Sequence, residues 1–334
     1  MNALDAAIGR ARGLSTHLLA GPAWEELRAA PDLAALAERL RSGPDPIVLP
    51  GPGSASPELL EAAIRRRGGA RLATFARWCA EAPDVSCVLL GDEDRRDLRL
   101  LIHGVVEGAL PVDRLRGTIP TPSLSAAALA TLATQTTLGA MVSLLGIWRH
   151  PDAAALGRPL GPGPPDLLAL DAALTGSWAA RATTAAARVD EELQRYVAAG
   201  IDLENALTAV MLAGEGRELP ELDLVPGGTH LSREGWRSIR AAGSIAAALA
   251  LAREAFTGTP FQHAMSGAGG AGLARTRAWE AALRIARVRS RIAPLSSAPL
   301  IAYVLGVRDE VQRLQRLIWG LALGAPPSAR GGQG

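Results

Sequence analysis

Trp24-Glu-Glu-Leu-Arg-Ala-Ala-Pro-Asp32-Leu-Ala-Ala-Leu36 returns in the last third of the chain as Trp236-Arg-Ser-Ile-Arg-Ala-Ala-Gly-Ser244-Ile-Ala-Ala-Ala-Leu249. A weaker copy, Ile147-Trp-Arg-His-Pro-Asp152-Ala-Ala-Ala-Leu156, lies between them. In each copy a polar residue (Asp32, Asp152 or Ser244) precedes an Ala/Leu run. Its side-chain oxygen can accept from a first-turn backbone N–H, so all three are predicted N-caps. A second phrase also recurs: Leu98-Arg-Leu-Leu-Ile-His-Gly104-Val-Val-Glu-Gly108 aligns at constant offset with Leu314-Gln-Arg-Leu-Ile-Trp-Gly320-Leu-Ala-Leu-Gly324. Leu98, Leu101, Ile102 and Val105 fall at helical spacing, as do Leu314, Leu317, Ile318 and Leu321. The glycine pairs predict either close approach of a neighbouring helix or a helix C-cap. Ile201-Asp-Leu-Glu-Asn205-Ala-Leu-Thr-Ala-Val210 is a degraded middle version. Internal repetition of this kind outranks any local motif and reads as one helical unit used about three times.

Breaks at Gly117–Pro122 and at Glu218–Gly228 divide the chain into helical units 1–117, 118–222 and 223–325. Residues 326–334 read as a disordered tail. Within units, Gly43–Pro57 and Leu160–Pro165 are Pro/Gly-rich loops. Strong helix formers dominate, and alternating β patterns are confined to Ile47–Leu49 and Val85–Leu90. An all-α fold is therefore expected.

The charge balance, 35 basic against 33 acidic residues for a net +2, argues against a nucleic-acid binder. Every basic residue is Arg, a bias that genome composition explains and that also keeps bidentate pairing available. Two cysteines eight positions apart, Cys79 and Cys87, form neither a disulfide framework nor a metal pair, which fits a reducing compartment. The N-terminus lacks the pattern of a signal peptide. Gly117–Trp148 contains no charged residue, yet Ser, Thr and Ala dilute it. A buried core helix is expected there in place of a membrane span, and the chain reads as soluble.

Chemistry-bearing motifs are weak. Gly267-Ala-Gly269-Gly-Ala-Gly272 satisfies Gly-x-Gly-x-x-Gly but lacks a preceding strand, so a flexible loop is expected. Without lysine there is no Walker A loop. The five histidines are scattered and no nucleophile elbow is present, so no catalytic residue, metal or cofactor is expected. Asp92-Glu-Asp-Arg-Arg-Asp97 reads as a solvated helix start with local ion pairs. Trp24, Trp148 and Trp236 are expected in the core.

Ala298-Pro-Leu-Ile-Ala-Tyr303-Val-Leu-Gly-Val-Arg308-Asp-Glu310-Val-Gln-Arg313-Leu-Gln-Arg316-Leu-Ile-Trp-Gly320 resembles the C-terminal signature of the C-type subunit of V-type/A-type rotary ATPases, known as the d-type subunit in the eukaryotic proton pump. Ile201-Asp202-Leu-Glu-Asn205 is similar to that family's Ile-Asp-x-x-Asn element, and Thr259-Pro-Phe261 to its Thr-Pro-Tyr. Arg12–Leu40 resembles its N-terminal helical pair. Asp97 and Arg313 stand where the family often has Asn, and Gln315 replaces a common basic residue.

The resemblance implies three similar helical domains in a pseudo-threefold, funnel-shaped arrangement. It implies a non-catalytic rotor coupler between the central shaft (D- and F-type subunits) and the membrane rotor ring, carrying torque during ion transport coupled to ATP synthesis or hydrolysis. One copy per complex would sit peripherally at the cytoplasmic face of the cell membrane, reached only through the ring. Amphipathicity nominates Arg99, Arg313 and Arg316 as interface residues, with Trp319 as an anchor if exposed, although burial is the stronger expectation for it. A diverged free-standing helical adaptor and an enzyme using the Gly267–Gly272 loop are the alternatives.

Overall fold

A computed structural model describes residues 3–43, 46–49, 55–161, 163–215, 222–266 and 270–325. The 326–334 tail and Gly267–Gly269 therefore lie outside the described residues, as do parts of the Gly43–Pro57, Leu160–Pro165 and Glu218–Gly228 breaks. Among the described residues there are fifteen helices and no strand, so the fold is all-α. Val85–Leu90 falls inside a helix, where its β-branched residues face the core.

After α1 (Ala3–Ser15), the chain passes through one order of elements three times. The first pass is α2 (Gly21–Arg28), α3 (Leu33–Ser42), α4 (Pro57–Trp78) and α5 (Pro83–Val106), followed by the single turn α6 (Pro111–Arg114). The second is α7 (Ala126–Ala133), α8 (Leu138–Ile147), short α9 (Ala153–Gly157), α10 (Leu167–Ala186) and α11 (Glu191–Glu215). The third is α12 (Arg233–Arg240), α13 (Ile245–Ala255), α14 (Gly270–Ile292) and α15 (Ala298–Ala322). Each pass is a pair of short helices followed by a pair of long ones.

The short pairs share the bonds of their turn and of the second helix's cap. In the first, Ala29 N–H donates to Glu25 O and Ala30 N–H to Leu27 O; Arg237 and Ile239 accept in the same way in the third. Asp32 caps α3 by accepting from Ala35 N–H, and Ser244 caps α13 by accepting from Ala247 N–H. The second pair is α7–α8, where Thr134 and Gln135 repeat the turn and Thr137 accepts from Ala140 N–H. The repeat at Ile147–Leu156 is therefore displaced: the true middle copy runs from α7 into α8, with Thr137 as its cap and Leu129 where the others have Trp24 and Trp236. Asp152 forms no cap, because its buried carboxylate is engaged by Arg181 at 2.7 Å. Trp148 is likewise no core residue; it ends α8 exposed, while Trp24 and Trp236 are buried. Nor is Gly117–Trp148 one core helix, since the caps Ser125 and Thr137 break it into α7 and α8.

The long helices α5 and α15 end alike. Gly108 and Gly324 have φ of 68° and 67°, a left-handed conformation that glycine adopts without strain. Ala109 N–H reaches back to Gly104 O at 2.9 Å, and Ala325 N–H to Gly320 O at 2.8 Å, closing the same C-cap motif. Close approach holds too at Gly104, where a Cβ would meet Arg114 Cγ at 2.7 Å.

Each pass also ends in a buried carboxylate that receives the backbone leading into a short pair. Asp97 of α5 accepts from Ile119 N–H, ahead of α7. Asp202 of α11 accepts from Thr229, His230 and Leu231 N–H, ahead of α12. Glu310 of α15 accepts from Leu19 N–H, ahead of α2. Buried backbone N–H groups outside helices need such partners, and a charged acceptor gives the stronger bond.

The described residues form two compact units: 1–81, 96–136 and 303–334 in one, 82–95 and 137–302 in the other. The first buries Leu36, Leu60, Ile64, Leu72, Leu98, Leu101, Leu314 and Leu317, with Phe75 stacked on Tyr303 at 6.0 Å. The second packs α11 against α12, α13 and α14 around Trp236, Phe256, Phe261 and Val210. One described helix segment, Glu191–Gly214, is long and apolar enough to cross a membrane; most of it is buried in the fold, and it carries Asp202 and Asn205.

Candidate interaction surface

The last turns of α15 carry Arg313, Arg316 and Trp319 at spacings of three, which places them along one side of the helix. Trp319 is half-buried, and its indole N–H donates to Glu61 Oε2 of α4 at 3.0 Å. The other oxygen of Glu61 accepts from Gln315 Nε2 at 3.2 Å and from Gly117 N–H at 3.4 Å. The Arg116 guanidinium lies over the Trp319 ring, 4.2 Å from its centroid. A tryptophan held at both its polar edge and its face is a rigid feature of this surface.

Arg313 stacks on the face of buried Trp24 at 4.1 Å and lies 3.7 Å from Asp309. Arg316 is exposed. Arg99, on α5, is half-buried with its Nε shielded from solvent. Of the four nominated residues, three thus share the α15 stripe, and Arg316 is the exposed one while the others are half-buried. Sequence reasoning missed Glu61, Arg116 and Trp24 as the groups that set these side chains. Glu61 had a signal: it follows Leu60 and precedes Ile64 on a core-facing stripe, an anomalous place for a carboxylate.

Polar burial extends behind the surface. Arg65 of α4 donates to Thr118 Oγ1 at 3.2 Å; burial lowers its pKa, against the opposing pull of Glu61 and Asp97. Glu310 binds Arg67 and Arg71 as well as Leu19 N–H, while Arg71 also donates to His17 O. A Cβ on Gly306 would fall 2.7 Å from Leu18, so the N-terminal stretch of chain lies directly on α15.

In the second unit, the Asp92 run is not a solvated helix start. It lies in the middle of α5, and Asp92, Glu93, Asp94 and Arg95 are buried. Arg95 pairs with Asp92 at 2.6 Å and Glu204 at 3.0 Å over the Trp178 ring, and Tyr196 OH donates to Asp92 at 2.8 Å. Burial alone would lower the Arg95 pKa; Glu204 and Asp92 outweigh it and raise it. Asp92 falls on the same helical stripe as buried Val85, Val88 and Leu89, and the charges are accommodated there because Thr175 of α10 and Tyr196 and Glu204 of α11 supply polar and ionic partners. His150 sits buried with its Nε2 3.8 Å from Asp94 and its Nδ1 3.8 Å from Asp152. Among the described residues, no group of three or more His, Cys, Asp and Glu is placed to hold a metal ion. The polar groups make structural bonds: caps, clamps and ion pairs.

A family model described as the ATP synthase (C/AC39) subunit matches residues 7–330. The chain belongs to the C/AC39 family of ATP synthase subunits. No curated protein matches it. In this C/AC39 chain the similar motifs now have physical roles. Asp202 is the triple clamp described above, and Asn205 both donates to Val225 O and accepts from Val225 N–H at 2.9 Å. Thr259 folds its hydroxyl onto Phe256 O at 2.7 Å and turns Phe261 edge-on to Phe256. Asp97, where the family often has Asn, uses both oxygens on Ile119 N–H, at 3.2 and 3.0 Å.

Proposed function

We propose that this C/AC39 chain is the non-catalytic coupler of a V/A-type rotary ATPase, joining the D- and F-type shaft subunits to the membrane rotor ring and carrying torque between them. The observation that carries this is the family match along residues 7–330. Three units, 1–117, 118–222 and 223–325, would stand around a pseudo-threefold axis as a funnel. The thrice-repeated order of helices supports that arrangement. So do the three clamps, in which the carboxylate of each pass receives the backbone ahead of the next and the third returns to the first.

Torque transfer needs a stiff body. Close-packed helices with ion pairs between them meet that need, and the Arg95 and Glu310 networks are of this kind. Arg316 is the leading contact residue, followed by Trp319, Arg313 and Arg99. One copy per complex would lie at the cytoplasmic face of the cell membrane, associated with it through the ring.

Mild-detergent extraction of native membranes carrying a tagged chain tests the proposal. Shaft and ring proteins should co-purify in a fixed ratio, and Arg316→Glu should weaken retention of one of them. Recovery of the chain alone, or with unrelated partners, would instead identify a free-standing adaptor.

A further inference from the structure

We propose that, in addition to attachment through the ring and against the expectation that the ring is the sole route, the turn between α14 and α15 docks directly on an anionic lipid bilayer. Val288, Ile292 and Leu295 are 47%, 64% and 80% exposed at this one chain reversal. Val288 and Ile292 are four apart on α14, so they share a face, and Leu295 continues past the helix end. Arg284, Arg287 and Arg291 are exposed on the same last turns. No Asp or Glu occurs between Glu280 and Asp309.

The acidic groups that face this end from the α10–α11 turn are already engaged. Asp190 accepts from Ser297 N–H and Oγ, both at 2.6 Å. Glu192 is held by Arg289 and Arg195, and Glu191 by Arg195. Glu191 stays exposed beside Arg195, and the rest of what faces outward is aliphatic and cationic. The corresponding turns of the other two passes are acidic, with Glu81 and Asp84 in one and Asp190, Glu191 and Glu192 in the other. Only the third has exchanged acids for arginine and branched aliphatics.

That chemistry fits a bilayer better than an acidic protein. Branched aliphatics without an aromatic anchor are poor protein hot spots, but they insert readily among acyl chains. Arginine stems then lie along the apolar layer while their heads reach anionic phosphates. Placed at a helix C-terminus, the arginines also offset the negative end of the helix dipole, so the patch is compatible with the stability of α14.

The test is flotation of the purified full chain with vesicles of phosphatidylcholine containing phosphatidylglycerol, or of phosphatidylcholine alone, at low and high salt. The chain should float with the anionic vesicles only and fall away as salt rises. Arg284→Gln combined with Arg291→Gln should lower partitioning roughly 30-fold. Ile292→Ser combined with Leu295→Ser should lower it about tenfold while preserving the salt dependence. All four side chains are exposed, so the thermal melts of both variants should overlay that of the parent chain. No flotation, equal flotation with neutral vesicles, or flotation unchanged in both variants would overturn the proposal. So would preferential binding to soluble poly-glutamate, which would mark an acidic-protein site.

Discussion

Replacing Asp202 separates a clamp from mere packing. Its carboxylate is fully buried and accepts from three successive backbone N–H groups, of Thr229, His230 and Leu231, at 2.8, 2.8 and 3.1 Å. Each bond to a charged acceptor is worth about 1.5–3 kcal/mol, so simple addition would give about 5–9 kcal/mol. The sum overshoots, because Asp202→Ala opens room for water to reach the released donors and the three bonds share one acceptor group. A cost of about 3–5 kcal/mol is expected. Asp202→Asn keeps one oxygen but turns an amide toward donors, and should cost about 2–3 kcal/mol. Asn205→Ala removes two neutral bonds to Val225 and should cost about 1–3 kcal/mol. Space offers no escape: a Cβ on Gly228 would fall 2.0 Å from Asp202 Oδ1, so the linker is laid against the carboxylate. Hydrogen exchange read on the peptide covering residues 222–231 isolates this linker from the rest of the chain. Local opening should speed up about 150- to 5,000-fold in Asp202→Ala, less in Asp202→Asn, and least in Asn205→Ala. Linker exchange that stays at the parent rate in Asp202→Ala, or an Asn variant as open as the Ala variant, would refute the role assigned to the charge.

Arg95→Met should lower the unfolding midpoint by the equivalent of about 3 kcal/mol, since it removes the buried cation that Asp92 and Glu204 share and leaves them to Tyr196 and Arg275; an unchanged melting curve would refute the network's importance. Glu192 has a lowered pKa, chiefly through its hydrogen bond with Arg289 and against burial. The stability it contributes is therefore complete above the ordinary carboxylate value of about 4.3 and is lost as pH falls through its lowered folded value. Glu192→Gln should flatten acid denaturation in that window, measured by circular dichroism against pH. Burial pushes the Cys79 thiol up to about 12, and the exposed Cys87 is also raised by partial burial. A thiol reagent at pH 8 should label Cys87 slowly and Cys79 only on unfolding; two fast labels on the native chain would contradict the placement.

The fold is legible in the sequence where identical chemistry recurs. Asp32 and Ser244 are caps in fact because a short oxygen acceptor before an Ala/Leu run does the same thing in both places. The Gly104–Gly108 and Gly320–Gly324 pairs produce the same helix ends, since only the backbone is involved. The middle copy is hidden because its likeness is conformational: Thr137 replaces Asp or Ser, Leu129 replaces Trp, and identity vanishes while the hydrogen bonds persist. Ile147–Leu156 imitates the spelling and not the geometry. The Asp92 run misleads for a related reason. A dense charge cluster is ordinarily solvated, and the residues that join its network, Glu204, Tyr196 and Arg275, lie about a hundred or more positions away, where no local pattern reveals them. On the α15 surface, spacing alone nominates Arg313, Arg316 and Trp319. That Arg313 rests on Trp24 and Trp319 on Glu61 depends on tertiary pairing across most of the chain.

The three clamps differ in the chain length they close, and that orders their formation. Asp97 and Ile119 are 22 residues apart, and Asp202 and Leu231 are 29 apart, so each forms once its own hairpin of helices exists. Glu310 and Leu19 are separated by 291 residues. The entropic cost of closing a loop rises only with the logarithm of its length, so the long closure is tolerated at equilibrium. It is late kinetically, since distant contacts wait on the collapse of everything between. Two cations hold Glu310 at that closure: Arg67 and Arg71 converge on it besides Leu19 N–H. A carboxylate that joins the two ends of the chain is thus held by two cations as well as by the backbone, so loss of either arginine should loosen the Leu19 contact before it unfolds the rest.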